Sequence, residues 1–308
     1  MVAAVLLGPT ASGKSALAIE VAAALGDVEV ISVDSMSVYR GMDIGTAKPT
    51  LAERAGVVHH MIDVADPSED FSVAAFKDQA TQAAAEIAAA GRRAILVGGT
   101  GLYFRALLDD LCMPGRWPEL AARLYAEAEA VGPEALHRRL ESLDPLAASR
   151  MNAGNTRRIV RALEVTIASG QPFSSFGPGL NSYAPIPIAQ IGIDLDRQVA
   201  NAAIEQRIDD QMASGWLEEV EALVRREAGI SRTARQALGY RELLGHLEGT
   251  CFLEEAVLET KRRTRSFARR QRAWFRRDPR IQWVESRSEA ARLLSEKLRS
   301  SSGLAVGR

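Results

Sequence analysis

The sequence has few cysteines and no long uninterrupted apolar run. Its 308 residues include two cysteines, Cys112 and Cys251, which lie 139 positions apart. This spacing matches neither a disulfide framework nor a zinc site, so we expect two free thiols in a reducing compartment. No stretch of roughly 18 uncharged apolar residues occurs, which predicts no transmembrane helix. Residues 1–7 are apolar but follow no basic segment, so we expect no signal peptide and a cytoplasmic location.

The sequence also lacks a compositional bias. It is 47% hydrophobic and 25% charged, which excludes a disordered tail, a collagen-like fibre and a low-complexity scaffold. The net charge of −1 conceals a basic block at 261–280, where ten Lys or Arg and one acid, Asp278, give a local charge of +9. Such a block predicts a polyanionic partner, while the near-neutral total argues against indiscriminate binding to phosphate backbones.

Strand and helix patterns alternate through the first hundred residues. Apolar runs without polar alternation predict strands, separated by helices of which the second has Ser72 as its N-cap. The predicted strands are 2–7, 28–33, 57–64 and 94–97, and the predicted helices are 14–25 and 72–90. This order is typical of an α/β fold with a parallel sheet covered on both faces.

The pattern changes after Pro114. Residues 118–170 are rich in helical patterns and contain no strand candidate, and 170–187 is a loop rich in Gly, Pro and Ser. Strand patterns return at 188–195 and 281–284, with helices between them. We therefore predict an α/β core formed by 1–114 and 181–308, with a helical C-terminal part, and an all-helical insertion domain at 115–180.

A phosphate-binding loop follows the first predicted strand. Residues 8–15 read GPTASGKS and match the pattern G-x-x-x-x-G-K-[ST]. Backbone N–H groups of such a loop converge on phosphate oxygens at the start of a helix. Lys14 supplies a positive charge, and Ser15 supplies a hydroxyl for Mg²⁺. The loop predicts a P-loop NTPase-like core that binds a diphosphate or a triphosphate.

Asp34 follows the second predicted strand, and three roles remain open for it. It could bind the magnesium ion, act as a general base beside the phosphates, or cap the turn before Ser35.

Six segments, taken in order, resemble the tRNA dimethylallyltransferases. They are GPTASGKS at 8–15, DSMSVYRGMDIGTAKP at 34–49, HHMIDV with PSEDFSVAAF at 59–76, GGTGLYF at 98–104, RRIVRALEV at 157–165 and ALGYRE at 237–242. The resemblance extends through nearly the whole chain. The bacterial type fits, because the Cys/His zinc module of eukaryotic relatives is lacking.

The resemblance implies a reaction. A dimethylallyl group passes from dimethylallyl diphosphate to the exocyclic amine of the adenosine 3′ to the anticodon, in tRNAs that read codons starting with U. Diphosphate is released, and the P-loop hydrolyses no nucleotide. The implied diphosphate-binding residues are Gly8, Thr10, Ala11, Ser12, Gly13, Lys14 and Ser15, with Mg²⁺ on Ser15.

The resemblance also implies three catalytic residues. Asp34 takes the proton from the attacking amine. Thr10 hydrogen-bonds the bridging oxygen of the donor or the approaching amine. Arg207 is a second diphosphate clamp, although it could instead be a surface arginine paired with Glu205 or Asp210.

The tRNA-binding residues implied by the resemblance extend from the adenine channel to the basic block. Ser37 departs from the family, since many members have Gln there, and Tyr240 is expected to stack on a base. The arginines of the insertion could instead pair with Glu164 and contact solvent. The basic block could likewise be a solvated surface that binds no RNA. The set is Asp34, Ser35, Met36, Ser37, Thr100, Arg157, Arg158, Arg161, Gln236, Gly239, Tyr240, Arg241, Arg265 and Arg269.

Three other functions were weighed. A metabolite kinase accounts for 8–15 and Asp34 but not for the basic block or the helical insertion. A prenyltransferase of free adenine nucleotides needs no basic block. An RNA-binding module would have no need of Thr10, Lys14, Ser15 and Asp34 together. We expect a monomer that binds the anticodon stem-loop of tRNA and dimethylallyl diphosphate. We expect no obligate protein partner and no association with a membrane.

Overall fold

The structure is a computed structural model that describes residues 2–177 and 179–300. Pro178 of the predicted loop and the 301–308 end of the predicted core lie outside the described residues, as does residue 1.

Six parallel strands form one sheet in the order β3-β2-β4-β1-β5-β6. In chain order they are β1 (Val2–Leu7), β2 (Val28–Val33), β3 (His59–His60), β4 (Arg93–Gly98), β5 (Ala189–Ile193) and β6 (Ile281–Val284). Because all strands run the same way, the loops that follow β1, β2 and β4 meet at one edge of the sheet.

Helices connect and cover the strands. The first three are α1 (Lys14–Leu25), α2 (Val73–Ala89) and α3 (Gly101–Leu108). The next four are α4 (Pro118–Val131), α5 (Pro133–Leu143), α6 (Pro145–Ser149) and α7 (Thr156–Ser169), followed by a 3₁₀ turn at Phe173–Phe176. The last six are α8 (Arg197–Ala213), α9 (Trp216–Val224), α10 (Arg232–Arg235), α11 (Tyr240–Leu247), α12 (Leu253–Phe275) and α13 (Arg287–Ser300). No helix among the described residues is long and apolar enough to cross a membrane.

Two apolar clusters cover the two faces of the sheet. Phe76 of α2 and Phe275 of α12 belong to one cluster, whereas Leu17 of α1 and Leu294 of α13 belong to the other. The strands are buried on both sides, which is why they are apolar without alternation. The predicted α/β fold with a covered parallel sheet is confirmed.

Most predicted elements have the predicted bounds, but the third strand does not. The strands at 2–7, 28–33 and 281–284 agree, and the Ser72 hydroxyl accepts from the Ala75 N–H as the N-cap of α2. The predicted strand at 57–64 is reduced to His59–His60. Met61 and Asp63 adopt φ values of 62° and 59°, and this left-handed conformation ends the strand.

The chain divides into two compact units. One contains Met1–Leu108 and Pro185–Arg308, and the other is Asp109–Ala184. The second unit has its own apolar core, in which Leu124, Leu140 and Leu163 are buried. Its bounds are a few residues wider than the predicted insertion at 115–180, because the turns on either side of the helices belong to the same unit.

Candidate active site

The phosphate-binding loop lies between β1 and α1. Ala11 and Gly13 have φ values of 63° and 76°, and Gly13 is the residue before the first turn of α1. Left-handed residues within such a loop turn successive N–H groups towards one point, which forms an anion-binding concavity. A positive φ is uncommon for alanine and stores strain, which is typical of functional loops.

Two cations and one hydroxyl at this loop have incomplete hydrogen bonding. The Lys14 ammonium donates to the Pro9 carbonyl at 3.1 Å. Loss of hydration lowers the pKa of Lys14 to about 8, an effect that the nearby Asp34 carboxylate opposes and the Arg207 guanidinium reinforces. Desolvation also lowers the pKa of Arg207. In the described part of the chain, buried Ser12 Oγ and Arg207 Nε have no hydrogen-bond partner. Such groups favour an anionic ligand with several oxygens.

Asp34 faces the same cations from the end of β2. Its Oδ1 accepts from the N–H groups of Met36 at 2.8 Å and Ser37 at 3.4 Å. The carboxylate therefore caps the turn, which is one of the three roles that the sequence left open for Asp34. Among the described residues no hydrogen bond occupies Oδ2. Since Asp34 acts electrostatically on Lys14 and Arg207, the structure brings these three predicted residues together.

Thr100 joins the turn after β4 to the turn after β2. Its hydroxyl accepts from the Ser35 N–H at 3.2 Å. This hydrogen bond gives Thr100 a structural role and places it beside the Asp34 turn. Ser35 and Met36 are half-buried at the same edge of the sheet.

Ser37 is buried rather than open at this edge. It is 5% exposed, and its hydroxyl lies 3.0 Å from the Ser32 hydroxyl. Ser37 was predicted to line the entrance of the adenine channel. The structure contradicts this prediction, because the Ser37 side chain is buried against β2.

Tyr240 is also internal, so the expected stacking of its ring on a base is wrong for this structure. The ring is 2% exposed and lies edge-on to Trp216 with centroids 5.7 Å apart. Its hydroxyl donates to Glu219 at 2.5 Å, and burial raises the pKa of Tyr240. Gly239 has a structural role as well, because a Cβ there would lie 1.9 Å from Trp216.

The segment 43–48 is held by contacts that no sequence pattern indicated. Glu219 of α9 accepts from the N–H groups of Asp43 and Ile44, each at 2.8 Å. The buried Lys48 ammonium donates to Asp63 at 2.6 Å and to the Tyr39 carbonyl at 2.8 Å. These contacts give Lys48 and the backbone at Asp43 and Ile44 structural roles. Glu219 lies far from this segment in sequence, so no local pattern reveals its contacts.

A second missed residue touches the phosphate-binding loop itself. The buried Gln271 of α12 accepts from the Thr10 N–H at 2.9 Å. Arg287 of α13 packs over Gly13, where a Cβ would lie 3.0 Å from its Cδ. Neither residue belongs to a motif quoted above.

A cluster of cations surrounds the predicted residues Gln236 and Arg241. With Arg232 and Arg235 they line an open cavity of about 410 Å³. All four side chains are exposed, and Arg235 pairs with Glu248. Arg232 and Arg235 were not predicted as site residues. Their spacing of three residues on α10, next to Gln236, could have indicated that they share one helix face.

The basic block is largely paired with carboxylates. Arg265 pairs with Glu205 on α8, and Arg272 and Arg276 both pair with Asp194. Lys261, Arg262, Arg263 and Arg280 also have carboxylate partners. Within the described residues Arg269, Arg270 and Arg277 have none. Arg269 is exposed and contacts only Ser266 at 3.4 Å.

The predicted arginines of the insertion lie on α7 of the second unit. Arg157 and Arg158 are exposed at its first turn. Arg161 pairs with Glu164 at 2.9 Å and donates to the Pro114 carbonyl at 2.8 Å, which is the pairing considered as the alternative.

The described residues contain no group of three or more His, Cys, Asp or Glu side chains that could hold a metal ion. The oxygen donors near the loop include the exposed Ser15 hydroxyl and the Asp34 carboxylate. Hard oxygen donors that leave most positions to water and phosphate fit Mg²⁺.

The chain is similar to proteins of one family. The model of the family described as IPP transferase matches residues 37–278. A tRNA dimethylallyltransferase of Salinispora tropica is 47% identical over 294 residues, covering 96% of this chain and 91% of that protein. A solved tRNA isopentenylpyrophosphate transferase from Bacillus halodurans is 38% identical, with a TM-score of 0.69 and 98% of each chain covered. A solved eukaryotic dimethylallyltransferase acting on tRNA is 25% identical, with a TM-score of 0.78, 99% of this chain and 81% of that chain covered.

Proposed function

The chain belongs to the IPP transferase family, and from that premise we propose that it transfers a dimethylallyl group from dimethylallyl diphosphate to tRNA. The acceptor is the exocyclic amine of the adenosine 3′ to the anticodon, in tRNAs that read codons starting with U. The observation that carries this proposal is the meeting of Lys14, Arg207 and Asp34 at one edge of the sheet.

The donor diphosphate binds in the loop at 8–15. Backbone N–H groups, Lys14 and Arg207 face it with little competing hydration, so they stabilise the charge that develops as the allylic C–O bond breaks. The buried Ser12 hydroxyl, which has no partner among the described residues, is available to a phosphate oxygen. Gly8, Ala11 and Gly13 shape the loop.

Magnesium is a part of this proposal. The Ser15 hydroxyl and the donor diphosphate would hold Mg²⁺, with Asp34 available as an acceptor for its water. The ion would add positive charge beside the leaving diphosphate.

Asp34 is the general base. The amine nitrogen forms a bond to the donor C1, the C1–O bond breaks, and its electron pair leaves with diphosphate. Asp34 Oδ2 takes the proton that the amine loses, while Oδ1 stays bound to the Met36 N–H and keeps the carboxylate oriented. The Thr10 hydroxyl, which has no hydrogen-bond partner in the described part of the chain, hydrogen-bonds the bridging oxygen of the donor or the approaching amine.

The tRNA contacts are proposed from surface cations, of which Arg265 is half-buried. The target adenine leaves its stack to reach the donor, because its amine is otherwise inaccessible. Arg269 and Arg265 of α12, the cavity lined by Gln236 and Arg241, and Arg157 and Arg158 of the insertion at 115–180 bind the RNA backbone. Thr100, Ser35 and Met36 line the adenine channel. We propose a cytoplasmic monomer without an obligate protein partner.

The test is a transfer assay with radiolabelled dimethylallyl diphosphate, Mg²⁺ and unmodified tRNA. Parallel reactions replace tRNA with AMP, or the donor with ATP and a phosphate acceptor. We expect label only in tRNA. Label in AMP would move the activity to free adenine nucleotides, and ATP consumption without any prenyl transfer would replace the proposal with a kinase.

A further inference from the structure

The paired ladder of the neighbouring strands β1 and β4 ends at Leu7 and Gly98. The Thr10 N–H and the Gly99 carbonyl lie beyond this last pair, so strand pairing between β1 and β4 does not satisfy them. Buried backbone groups of this kind need another partner.

The side chain of Gln271 fills both positions. Its Oε1 accepts from the Thr10 N–H at 2.9 Å, and its Nε2 donates to the Gly99 carbonyl at 2.8 Å. Gln271 is 8% exposed, and one amide therefore satisfies two backbone groups without water. A carboxamide is suited to this place because it has one acceptor and one donor side by side.

The close approach requires a residue without a side chain at 99. A Cβ on Gly99 would lie 2.4 Å from Gln271 Nε2 and 3.4 Å from the Gly8 carbonyl oxygen. The turn, the loop and α12 thus fit together through this one contact. Gln271 thereby connects Thr10 to Gly99, although it lies 261 positions from Thr10 and 172 positions from Gly99 in sequence.

The contact extends to the general base. Gly99 precedes Thr100, whose hydroxyl accepts from the Ser35 N–H directly after Asp34. A displacement of the Gly99 turn would therefore move the Asp34 turn, and a displacement of Gln271 would release Thr10 at the same time.

We propose that Gln271 is a positioning residue for prenyl transfer, which holds Thr10 on the donor side and the Asp34 turn on the acceptor side at the spacing the reaction needs. Gln271 acts through these residues and touches neither substrate. The inference rests on the proposed function, because it presupposes the roles of Thr10 and Asp34. Misplacement of a reacting group by about 1 Å can cost roughly a hundredfold in rate.

Packing of α12 does not depend on this amide alone. Phe275 is buried and lies 6.0 Å from Phe104 between ring centroids, and Ala268 is buried on the same face. The helix should therefore remain in place when the amide is replaced, which separates positioning from folding.

The test compares Gln271→Leu and Gln271→Glu with a control on the same helix, Thr260→Val. Gln271→Leu keeps the approximate volume and removes both hydrogen bonds. Gln271→Glu keeps the acceptor for the Thr10 N–H but sets a carboxylate oxygen against the Gly99 carbonyl. Thr260 is also buried, but among the described residues its hydroxyl donates to no group other than the Ala256 carbonyl of its own helix, at 2.8 Å.

Three quantities are measured on the full chain: the single-turnover rate constant at saturating donor and tRNA, the Kd for tRNA, and the thermal unfolding midpoint. We expect both Gln271 variants to lose roughly 10- to 100-fold in the rate constant. The Kd for tRNA should change less than about twofold, since no exposed arginine changes. The unfolding midpoint should fall a few degrees below that of Thr260→Val, because each variant leaves a backbone group without its partner, but both variants should stay folded at the assay temperature.

Two results would overturn the inference. Transfer within about twofold of wild type in both Gln271 variants would show that the contact does not position the reacting groups. A rate loss accompanied by an equal fold-loss in tRNA affinity, or by unfolding at the assay temperature, would make Gln271 a residue of the fold only. Failure of the wild-type protein to prenylate tRNA in the same assay would instead refute the proposed function, and so the two failures are distinguishable.

Discussion

The two groups of cations in this molecule are organised differently. At the phosphate-binding loop, Lys14 and Arg207 are poorly hydrated and share a single nearby carboxylate, Asp34. Along α12 the cations are more numerous and more exposed, but most have carboxylate partners of their own, such as Glu205 for Arg265.

This difference separates charge count from charge availability. A desolvated cation with incomplete hydrogen bonding gains much from an incoming anion, whereas an arginine already paired must first give up its partner. Two cations at the loop are therefore expected to matter more than seven paired ones in the basic block.

The largest effect is expected at the carboxylate beside the loop cations. Asp34→Asn should lower the single-turnover transfer rate roughly 1,000-fold, because the amide cannot take the proton, while it can still cap the turn. Filter binding should give a Kd for tRNA within about threefold of wild type. Asp196→Asn, at the N-cap of α8, is the matched control and should leave the rate unchanged. A rate loss that merely follows a loss of tRNA binding would make Asp34 a contact residue.

Arg207→Gln should reduce kcat/KM for the donor roughly 100-fold, since a desolvated cation beside the diphosphate is removed. Steady-state assays at saturating tRNA measure this effect. Arg197→Gln, an exposed arginine on the same helix, should change kcat/KM less than twofold. Equal behaviour of the two variants would make Arg207 an ordinary surface arginine.

Donor binding should weaken above the lowered pKa of Lys14, about 8. The sign follows from the direction of the shift: below this pH the ammonium is charged and attracts diphosphate, and above it the side chain becomes neutral. We expect the Kd for dimethylallyl diphosphate, measured by calorimetry without tRNA, to rise about tenfold between pH 7.5 and 9.5. In Lys14→Met the same titration should be flat, and a flat wild-type titration would contradict the prediction.

The smallest effects are expected on α12. Arg269→Ala should weaken tRNA binding about three- to tenfold and reduce the slope of log Kd against log salt by about 1, because Arg269 has no carboxylate partner in the described chain. Arg265→Ala should have a smaller effect, since its charge is already partly neutralised by Glu205.

Glu205→Gln tests the same contrast with the opposite sign. Removing this carboxylate frees Arg265, and the affinity for tRNA should increase about twofold. Unchanged binding in Glu205→Gln together with equal losses in the two arginine variants would show that pairing along α12 has no bearing on RNA binding.

The sequence predicted best where function depends on adjacent residues. The loop at 8–15 and the turn at Asp34 are encoded by contiguous residues, and the strand bounds at 28–33 and 281–284 follow from uninterrupted apolar runs. The third strand was overestimated because a β-rich composition does not reveal the left-handed conformations of Met61 and Asp63.

Prediction was weaker where a side chain meets a partner far along the chain. Tyr240 looked like a stacking surface, yet it is a core residue against Trp216 and Glu219. Gln271 carried no signal at all, because a single glutamine in a basic helix is common, and its partners are Thr10 and the Gly99 carbonyl.

By itself, the sequence determined the family, the α/β class, the phosphate-binding loop and the position of Asp34 after its strand, because short contiguous segments specify local backbone geometry. Only the tertiary structure decided which cations are neutralised, which aromatic rings are buried, and that one amide joins the loops after β1 and β4. Hydrogen bonds and ion pairs act over a few ångströms, so residues as far apart as Thr10 and Gln271 interact only after the parallel sheet has brought their elements together.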